Sequence, residues 1–361
     1  YGMTGDAQLT NTYSLQSGAR KISFDLPQRY RLIDGDDSDP AFAGFNEELK
    51  PELVYCSLQE AIDDETAEDY VLDELVEDAD ALFGVWITEG LMSEAFFKKH
   101  PKLKYIATLG HGYESFDYAM TRRYGVTVTN TVYGAQTIAE HAFALLMHTC
   151  HHIEVQDQRV REIDWSDPGN APEFCKAVVP QIELYGKTVG VVGLGAIGFA
   201  FAKMAAGFGM HVISYSRTVK RGEAYSFVEQ VSSLGELLVR ADVISLHLPE
   251  NGNTHIINED TIAGMKDGVI LINTARGILI DEAALAEALK SGKVRAAALD
   301  VLTEEPPRHG TPLLTAPNCT ITGHIAWLTR ESRFRAIDMA IDNFKNYLNG
   351  APTSVINHEG A

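Results

Sequence analysis

From position 189 onward, short runs of β-branched and other apolar residues alternate with longer segments whose apolar residues recur every three or four positions. Runs of the first kind are typical of buried strands, and the second spacing is typical of amphipathic helices. The segments between the strands are helical, as at residues 281–289, which Gly292 follows. This regular alternation predicts a doubly wound parallel sheet. Its six predicted strands cover residues 189–192, 211–215, 242–247, 269–273, 296–301 and 319–322.

The first third of the chain carries a weaker version of the same alternation. An acidic segment of helix-forming residues covers 64–80. Strands that alternate with such segments predict a smaller parallel α/β unit. We assign no role to the leader before about Arg29. The short apolar runs that predict the strands of this unit lie at residues 31–33, 53–55, 81–85 and 103–107.

Two further helices complete the predicted organisation. Thr137 and Glu140 have the spacing of a capping box, which predicts a long apolar helix running through His152. Residues 330–348 repeat apolar side chains at helical spacing and stop at an Asn-Gly pair. We expect this last helix to return to the first domain.

The length of the chain indicates more than one domain. A chain of 361 residues is too long for one ordinary hydrophobic core. We predict a substrate-binding domain made of residues 1–132 plus 326–361, and a dinucleotide-binding Rossmann domain made of residues 133–325.

Three glycines follow the first strand of the larger sheet with a spacing that suits a dinucleotide. Gly193, Gly195 and Gly198 form a G-x-G-x-x-G motif between a strand and a helix. The first glycine permits a tight turn, the second lets the pyrophosphate approach the backbone, and the third lets the helix pack on the strand. The N-terminal amides of the following helix favour a phosphate group. The helix has a predicted apolar stripe of Ile197, Phe201, Met204 and Phe208.

Composition argues against several other classes of partner. A net charge of −20 disfavours binding to nucleic acid or to an anionic membrane. The chain has no apolar run of membrane-spanning length and no signal-peptide pattern at its start. Its four cysteines are scattered, which predicts reduced thiols and a cytoplasmic location rather than disulfides or a zinc site. His148 and His152 share a helix face, but no carboxylate motif accompanies them, so we expect no metal.

The predicted strand ends of the larger sheet carry candidate chemistry. Ligands of open parallel sheets bind at the carboxyl ends of the strands. Arg276 offers a planar cation that suits a carboxylate, although it could equally be a surface residue of a loop. His324 could transfer a proton near neutral pH, although a lone histidine is more often a core residue. Glu305 could hold that histidine, although Glu-Glu-Pro is also a common turn.

Four segments together resemble the D-isomer-specific 2-hydroxyacid dehydrogenases: residues 193–198, 273–277, 300–306 and 324–327. The resemblance spans residues 32–357. It implies two Rossmann-like α/β domains with the active-site cleft between them. By resemblance, Arg276 binds the substrate carboxylate and keto oxygen, His324 is the proton donor and acceptor, and Glu305 is its partner.

The resemblance extends to the residues around these groups. A glycine-rich turn places His111 and Gly112 against the substrate. The chain departs from the family where Gly323 replaces a proline and Leu302 replaces a phenylalanine. Neither change removes a reacting group. The expected cofactor contacts are Gly193, Gly195, Ala196, Ile197, Gly198, Ser216, Arg217, Thr218, His247, Pro249, Thr254, Thr274, Ala275, Arg276, Asp300 and His324.

Within this family the chain is most similar to the glycerate dehydrogenase/hydroxypyruvate reductase group. The expected reaction is hydride transfer between a nicotinamide cofactor and a small 2-keto acid, with hydroxypyruvate or glyoxylate reduced to D-glycerate or glycolate. D-lactate, phosphoglycerate and branched 2-keto acids stay open as substrates. So does a different class of function, a cofactor-sensing regulator or corepressor on the same fold. We expect a homodimer.

The residue at the end of the second strand bears on the choice of cofactor. An NAD-selective domain usually has an acidic residue there, which binds the ribose 2′-hydroxyl, whereas this chain has Ser216. Arg217, Lys220 and Arg221 follow directly and suit a 2′-phosphate. The alternative is a solvated basic loop with less selective NAD binding. The sequence favours NADP(H), with Arg217 as the main phosphate ligand.

Overall fold

The computed structural model describes residues 9–17, 20–27, 51–57, 79–84, 93–110, 118–250 and 252–358. The chain divides into two compact units. The first unit takes in residues 1–133 and 330–361, and the second takes in residues 134–329. The predicted strand at 31–33 lies outside the described residues, as does nearly all of the helix predicted at 64–80.

The described residues of the first unit form a six-stranded mixed sheet in the order β3-β1-β2-β4-β5-β6. Strand β1 pairs antiparallel with β2 and β3, whereas the pairs from β2 to β6 are parallel. Two short helices, α1 (Glu94–Lys99) and α2 (Tyr118–Arg123), follow β4 and β5. The strands are β1 (Leu9–Ser17), β2 (Arg20–Pro27), β3 (Pro51–Ser57), β4 (Ala81–Gly84), β5 (Tyr105–Thr108) and β6 (Thr127–Thr129).

The described residues of the second unit form a parallel sheet of seven strands in the order β13-β12-β11-β10-β7-β8-β9. Both faces of its central strands are covered, and β10 and β11 are buried at every position. That explains their continuous apolar runs, because each face of a parallel sheet packs on helices. The strands are β7 (Thr188–Val192), β8 (His211–Tyr215), β9 (Val228–Gln230), β10 (Val243–Leu246), β11 (Val269–Asn273), β12 (Val294–Leu299) and β13 (Cys319–Ile321).

Six helices accompany this sheet among the described residues. The longest is a buried apolar helix, and its Phe143 ring lies 5.7 Å from that of Phe201 on the helix after the glycine motif. The helix of residues 282–291 begins where the Asp281 carboxylate accepts two backbone N–H groups, and it ends at Gly292 with φ of 78°. The helices are α3 (Ala135–His151), α4 (Ile153–Glu162), α5 (Ala196–Gly207), α6 (Leu234–Arg240), α7 (Glu259–Ala263) and α8 (Glu282–Ser291).

The last helix, α9 (Arg330–Leu348), belongs to the first unit. The ring of Phe344 packs against those of Phe83 and Tyr105, at 5.4 Å and 4.9 Å. The Asn343 side-chain amide donates to the Asn130 carbonyl at 3.1 Å. None of the helices in the described part of the chain is both long enough and apolar enough to cross a membrane.

The predicted α/β fold class is confirmed, but several details differ. The sheet of the first unit is mixed rather than parallel, because β1 pairs antiparallel with β2 and β3. The capping box is wrong: α3 starts after Gly134, and the Glu140 carboxylate accepts from Gln136 instead. The sequence pattern missed β9, because three residues give too short a periodic signal. The stripe on α5 also ends early, since Phe208 caps the helix and is 48% exposed.

Candidate active site

The glycine-rich turn lies where the strand order of the larger sheet reverses, between β7 and β10. Gly193 has φ of 96°, and a Cβ atom there would come within 2.5 Å of the His247 carbonyl oxygen. A Cβ on Gly198 would come within 2.0 Å of the Gly193 carbonyl oxygen. Gly195 is different, since its Cβ would meet no described atom within 4 Å. Two glycines therefore allow close packing, and the third leaves open the backbone at the start of α5.

The residue that follows β8 supports this turn through a hydrogen bond. The Leu194 N–H donates to the Ser216 hydroxyl at 2.5 Å. Ser216 thus holds the glycine-rich turn as well as standing at the predicted ribose position. Arg217 and Thr218 are exposed, and neither makes a hydrogen bond or ion pair with another described residue.

Two further expected cofactor residues carry polar atoms that have no partner among the described residues. Burial lowers the pKa of His247 to about 3, so the ring is neutral. Its Nε2 lies 2.9 Å from the Ser245 hydroxyl, while its Nδ1 lacks a hydrogen-bond partner. The buried Thr274 hydroxyl lacks one too. A buried polar atom without a partner calls for an explanation, and a bound polar ligand supplies one.

These observations fit a dinucleotide at the carboxyl edge of the larger sheet. The open approach at Gly195 suits a pyrophosphate, and the Thr274 hydroxyl lies in the loop after β11. Ala196 and Ile197 form the first turn of α5, and Ala275 adjoins Thr274. Pro249 and Thr254 lie on the exposed loop after β10.

Arg276 lies in the loop after β11, which its own side chains shape. The Asn273 side chain accepts from the Ala275 N–H at 3.0 Å and donates to the Arg276 carbonyl at 2.8 Å. The half-buried Arg276 guanidinium donates to the Ala275 carbonyl at 2.7 Å. The loop thereby fixes the backbone of the arginine.

Gly277 brings this loop against the loop after β12. A Cβ atom on Gly277 would lie 1.9 Å from the Leu302 carbonyl carbon and 2.3 Å from the Thr303 nitrogen. The Leu302 N–H in turn donates to one carboxylate oxygen of Glu305 at 2.8 Å. Only glycine permits this approach.

Glu305 and His324 are brought together by the ends of two neighbouring strands, β12 and β13. The second carboxylate oxygen of Glu305 lies 2.6 Å from Nδ1 of His324. The side chains of both residues are partly exposed, at 32% and 28%. A carboxylate on Nδ1 fixes the orientation of the imidazole ring.

His324 has a backbone conformation that is unusual for a residue with a side chain. Its φ is 55°, in the left-handed region that disfavours a Cβ atom. The surrounding structure compensates: the His324 N–H donates to the Asp300 carbonyl at 2.7 Å, and the Trp327 indole N–H donates to the His324 carbonyl at 2.9 Å. Strained residues held in this way cluster at functional sites.

Asp300 is one of the expected cofactor contacts, and in the structure its carboxylate accepts hydrogen bonds from neighbouring protein groups. One oxygen accepts the Ile325 N–H at 3.0 Å and the Thr322 hydroxyl at 2.5 Å, and the other accepts the Ala326 N–H at 2.8 Å. His141 on α3 places its Nε2 at 3.5 Å from the carboxylate. Burial opposes ionisation of Asp300, but the hydrogen bonds from these four donors outweigh it and hold its pKa below the ordinary value.

Sequence reasoning missed three residues around this site. Thr322, Gly277 and His141 support the catalytic candidates through contacts that only the tertiary structure creates. A lone histidine on an apolar helix was a possible signal for His141. Conversely, the expected substrate residues His111 and Gly112 lie outside the described residues. The His148 and His152 rings are 6.4 Å apart, and the described residues hold no group of three metal-ligating side chains.

Comparison with known proteins adds to this geometry. Residues 143–326 match the model of the D-isomer specific 2-hydroxyacid dehydrogenase NAD binding domain. The hydroxypyruvate reductase of Blautia hydrogenotrophica is 40% identical over 76% of this chain and 84% of its own length. The glyoxylate reductase of Pyrococcus furiosus is 36% identical over 79% of this chain and 84% of its own length. The glycerate dehydrogenase of Methylorubrum extorquens is 35% identical over 72% of this chain and 80% of its own length.

Solved structures are similar as well. An acyclic imino acid reductase in complex with NADPH and D-Arg has a TM-score of 0.67 and 30% identity, covering 80% of this chain and 89% of its own. The D-lactate dehydrogenase of Aquifex aeolicus, in complex with NAD and lactic acid, has a TM-score of 0.66 and 32% identity, covering 77% of this chain and 86% of its own. Each of these two structures holds a nicotinamide cofactor.

The same substitution should affect protein stability differently at two glycines near the site. Gly277→Ala should destabilise the protein by about 1–3 kcal/mol, because the added methyl group meets backbone that cannot move aside. Gly323→Ala is the matched control, since its Cβ meets nothing within 4 Å and its φ is not in the left-handed region. Urea unfolding measures both variants. Equal stability of the two would contradict the packing argument.

Proposed function

Because the chain belongs to the D-isomer specific 2-hydroxyacid dehydrogenase family, we propose that it reduces hydroxypyruvate and glyoxylate to D-glycerate and glycolate. The nicotinamide cofactor supplies the hydride when bound. The names of three similar proteins, hydroxypyruvate reductase, glyoxylate reductase and glycerate dehydrogenase, support this choice of substrates.

The observation that carries the proposal is the pairing of His324 with Glu305 at the carboxyl edge of the sheet. A 2.6 Å contact between a carboxylate oxygen and Nδ1 fixes the orientation of the imidazole, as a group that transfers a proton requires. In the direction of reduction, His324 gives its Nε2 proton to the keto oxygen as the carbonyl carbon accepts the hydride. In the reverse direction, it takes the proton from the hydroxyl group.

Arg276 has a separate role in the proposal. Its planar guanidinium binds the substrate carboxylate and stabilises negative charge that develops on the keto oxygen. The loop after β11 carries it, and Gly277 packs that loop against the Glu305 loop. We propose the backbone of His111 and Gly112 as further carboxylate contacts, within the substrate-binding unit.

Replacement of His324 tests the proton-transfer role. His324→Asn should lower kcat for hydroxypyruvate by roughly 10²–10⁴-fold, the usual contribution of a general acid, with little change in cofactor affinity. His309→Asn is a matched control, because His309 makes a similar 2.7 Å contact with Glu304 in an exposed loop. Steady-state kinetics and cofactor titration by fluorescence measure both. If His324→Asn kept more than half of the wild-type rate, the assignment would be wrong.

We also propose that the cofactor is NADP(H). Ser216 replaces the carboxylate that would repel a 2′-phosphate, and its hydroxyl is already used by the Leu194 N–H. Arg217 is exposed and makes no ion pair with a described residue, so its guanidinium is available for a phosphate. Lys220 and Arg221 add positive charge to the same segment.

A comparison of the two cofactors tests this. The wild-type enzyme should have a higher kcat/KM for NADPH than for NADH. Arg217→Ala should reduce the NADPH value by roughly tenfold to a hundredfold, because a charge-assisted hydrogen bond is lost. The NADH value serves as the internal control and should hardly change. A clear preference of the wild type for NADH would contradict the proposal. An unchanged ratio of the kcat/KM values for NADPH and NADH in the variant would contradict it as well.

We propose, finally, that the enzyme is a homodimer. Large apolar side chains are exposed along α4 and the segment up to β7 (Ile153, Val155, Val160, Trp165, Phe174, Val178 and Tyr185). A contiguous group of exposed apolar side chains marks an association surface, and we propose this segment as that surface. Light scattering should give twice the 39.6 kDa mass of one chain. A single-chain mass at micromolar concentration would contradict the proposal.

A further inference from the structure

His141 occupies an unusual position for an ionisable residue. It lies in the middle of α3, between the buried residues Ala139 and Ala142, and α3 packs on β12. Its Nε2 points to the end of β13, 3.2 Å from the Thr322 hydroxyl. Because its neighbours on the helix are fixed in the core, the imidazole has a defined place.

The hydrogen bonds around it can run in one direction only. The Asp300 carboxylate is ionised and therefore only accepts, so the Thr322 hydroxyl must donate to it across 2.5 Å. A hydroxyl has one proton, and it must then act as acceptor toward His141 Nε2. His141 therefore carries its proton on Nε2 and donates it to Thr322, with the Asp300 oxygen 3.5 Å away.

These hydrogen bonds lead from His141 through Thr322 to Asp300, and they end at the backbone of the loop that carries His324. Asp300 accepts the amides of the two residues that follow His324, and its carbonyl accepts the amide of His324 itself. A carboxylate that is held at one oxygen by Thr322 and His141 keeps its other oxygen aimed at Ala326. The position of His324 thus depends on a donor that comes from a different element of the fold.

We propose that His141 is a positioning residue for the reaction: its Nε2–H orients Thr322 and Asp300, which hold His324 in its left-handed conformation opposite Glu305. This inference rests on the proposed function, since it concerns the proton transfer by His324. His141 itself touches neither Glu305 nor His324 in the described contacts.

Three substitutions on α3 and one measurement of rate test the proposal. His141→Leu removes the donor and puts an apolar side chain of similar size in its place. It should lower kcat by about tenfold to a hundredfold, because even a 1 Å displacement of a reacting group can cost about a hundredfold. The KM values for NADPH and hydroxypyruvate should change little. His141→Gln keeps an N–H donor at similar reach and should restore most of the rate.

His151→Leu is the control for the substitution itself. It lies near the end of the same helix, and no hydrogen bond or ion pair joins its side chain to another described residue. It should keep the wild-type kcat. If His141→Leu does not fold, His141→Asn takes its place, because the shorter amide cannot reach the Thr322 hydroxyl; the asparagine variant should be slow while the glutamine variant stays active.

The outcomes separate the inference from the function on which it rests. A wild-type kcat in His141→Leu would overturn the positioning role, and so would a His141→Gln variant as slow as the leucine variant, which would point to packing alone. If the wild-type enzyme reduced no 2-keto acid at all, the proposed function would fail first and take the inference with it.

Discussion

The buried carboxylate of Asp300 is the constraint on which the candidate active site depends. A single side chain at the end of β12 accepts hydrogen bonds from Thr322, Ile325 and Ala326, all from the segment after β13. An ionised group of this kind is costly to bury unless it accepts hydrogen bonds. The chain meets that condition by folding the His324 segment over Asp300, and the energy of these bonds offsets the left-handed strain at His324.

A second constraint joins the loops of neighbouring strands. Gly277 lets the Arg276 loop touch the backbone at Leu302, and the Leu302 amide holds one oxygen of Glu305. The other oxygen of Glu305 reaches His324. These contacts connect the loops that follow β11, β12 and β13 and restrict their movement relative to one another. A proton donor and a carboxylate-binding cation both need such placement, because catalysis falls steeply with misorientation.

Much of the larger unit could be predicted from the sequence, because its strands are continuous apolar runs and its helices are amphipathic. Strands β8 and β11 have the predicted bounds, and the glycine spacing correctly located the turn after β7. The predicted strand at 296–301 runs two residues too far, since the chain leaves β12 at Asp300 to bind the His324 segment. Val301 and Leu302 are apolar again, but the hydrogen bonds of Asp300 end the strand.

The parts that could not be predicted depend on contacts between distant segments. The role of Asp300 requires donors from the segment after β13 and from α3, and nothing in the sequence around Asp300 shows that these donors point to its carboxylate. The start of α3 was misplaced because a Ser/Thr-x-x-Glu spacing also occurs within helices, where Gln136 competes for Glu140. Residues such as Arg276 and Glu305 were recognisable from motifs, whereas their supports were visible only in the folded chain.

Hydrogen exchange at the amides of Ile325 and Ala326 tests the central role of Asp300 most directly. Asp300→Asn keeps the shape of the side chain but replaces one acceptor oxygen with an NH₂ group, which cannot accept either amide. Exchange should be slow at both amides in the wild type and much faster at one or both in the variant. The Thr322 amide, which donates to the Leu299 carbonyl at 2.9 Å, should stay protected in both and reports on global unfolding. Equally slow exchange at Ile325 and Ala326 in the two proteins would contradict the account.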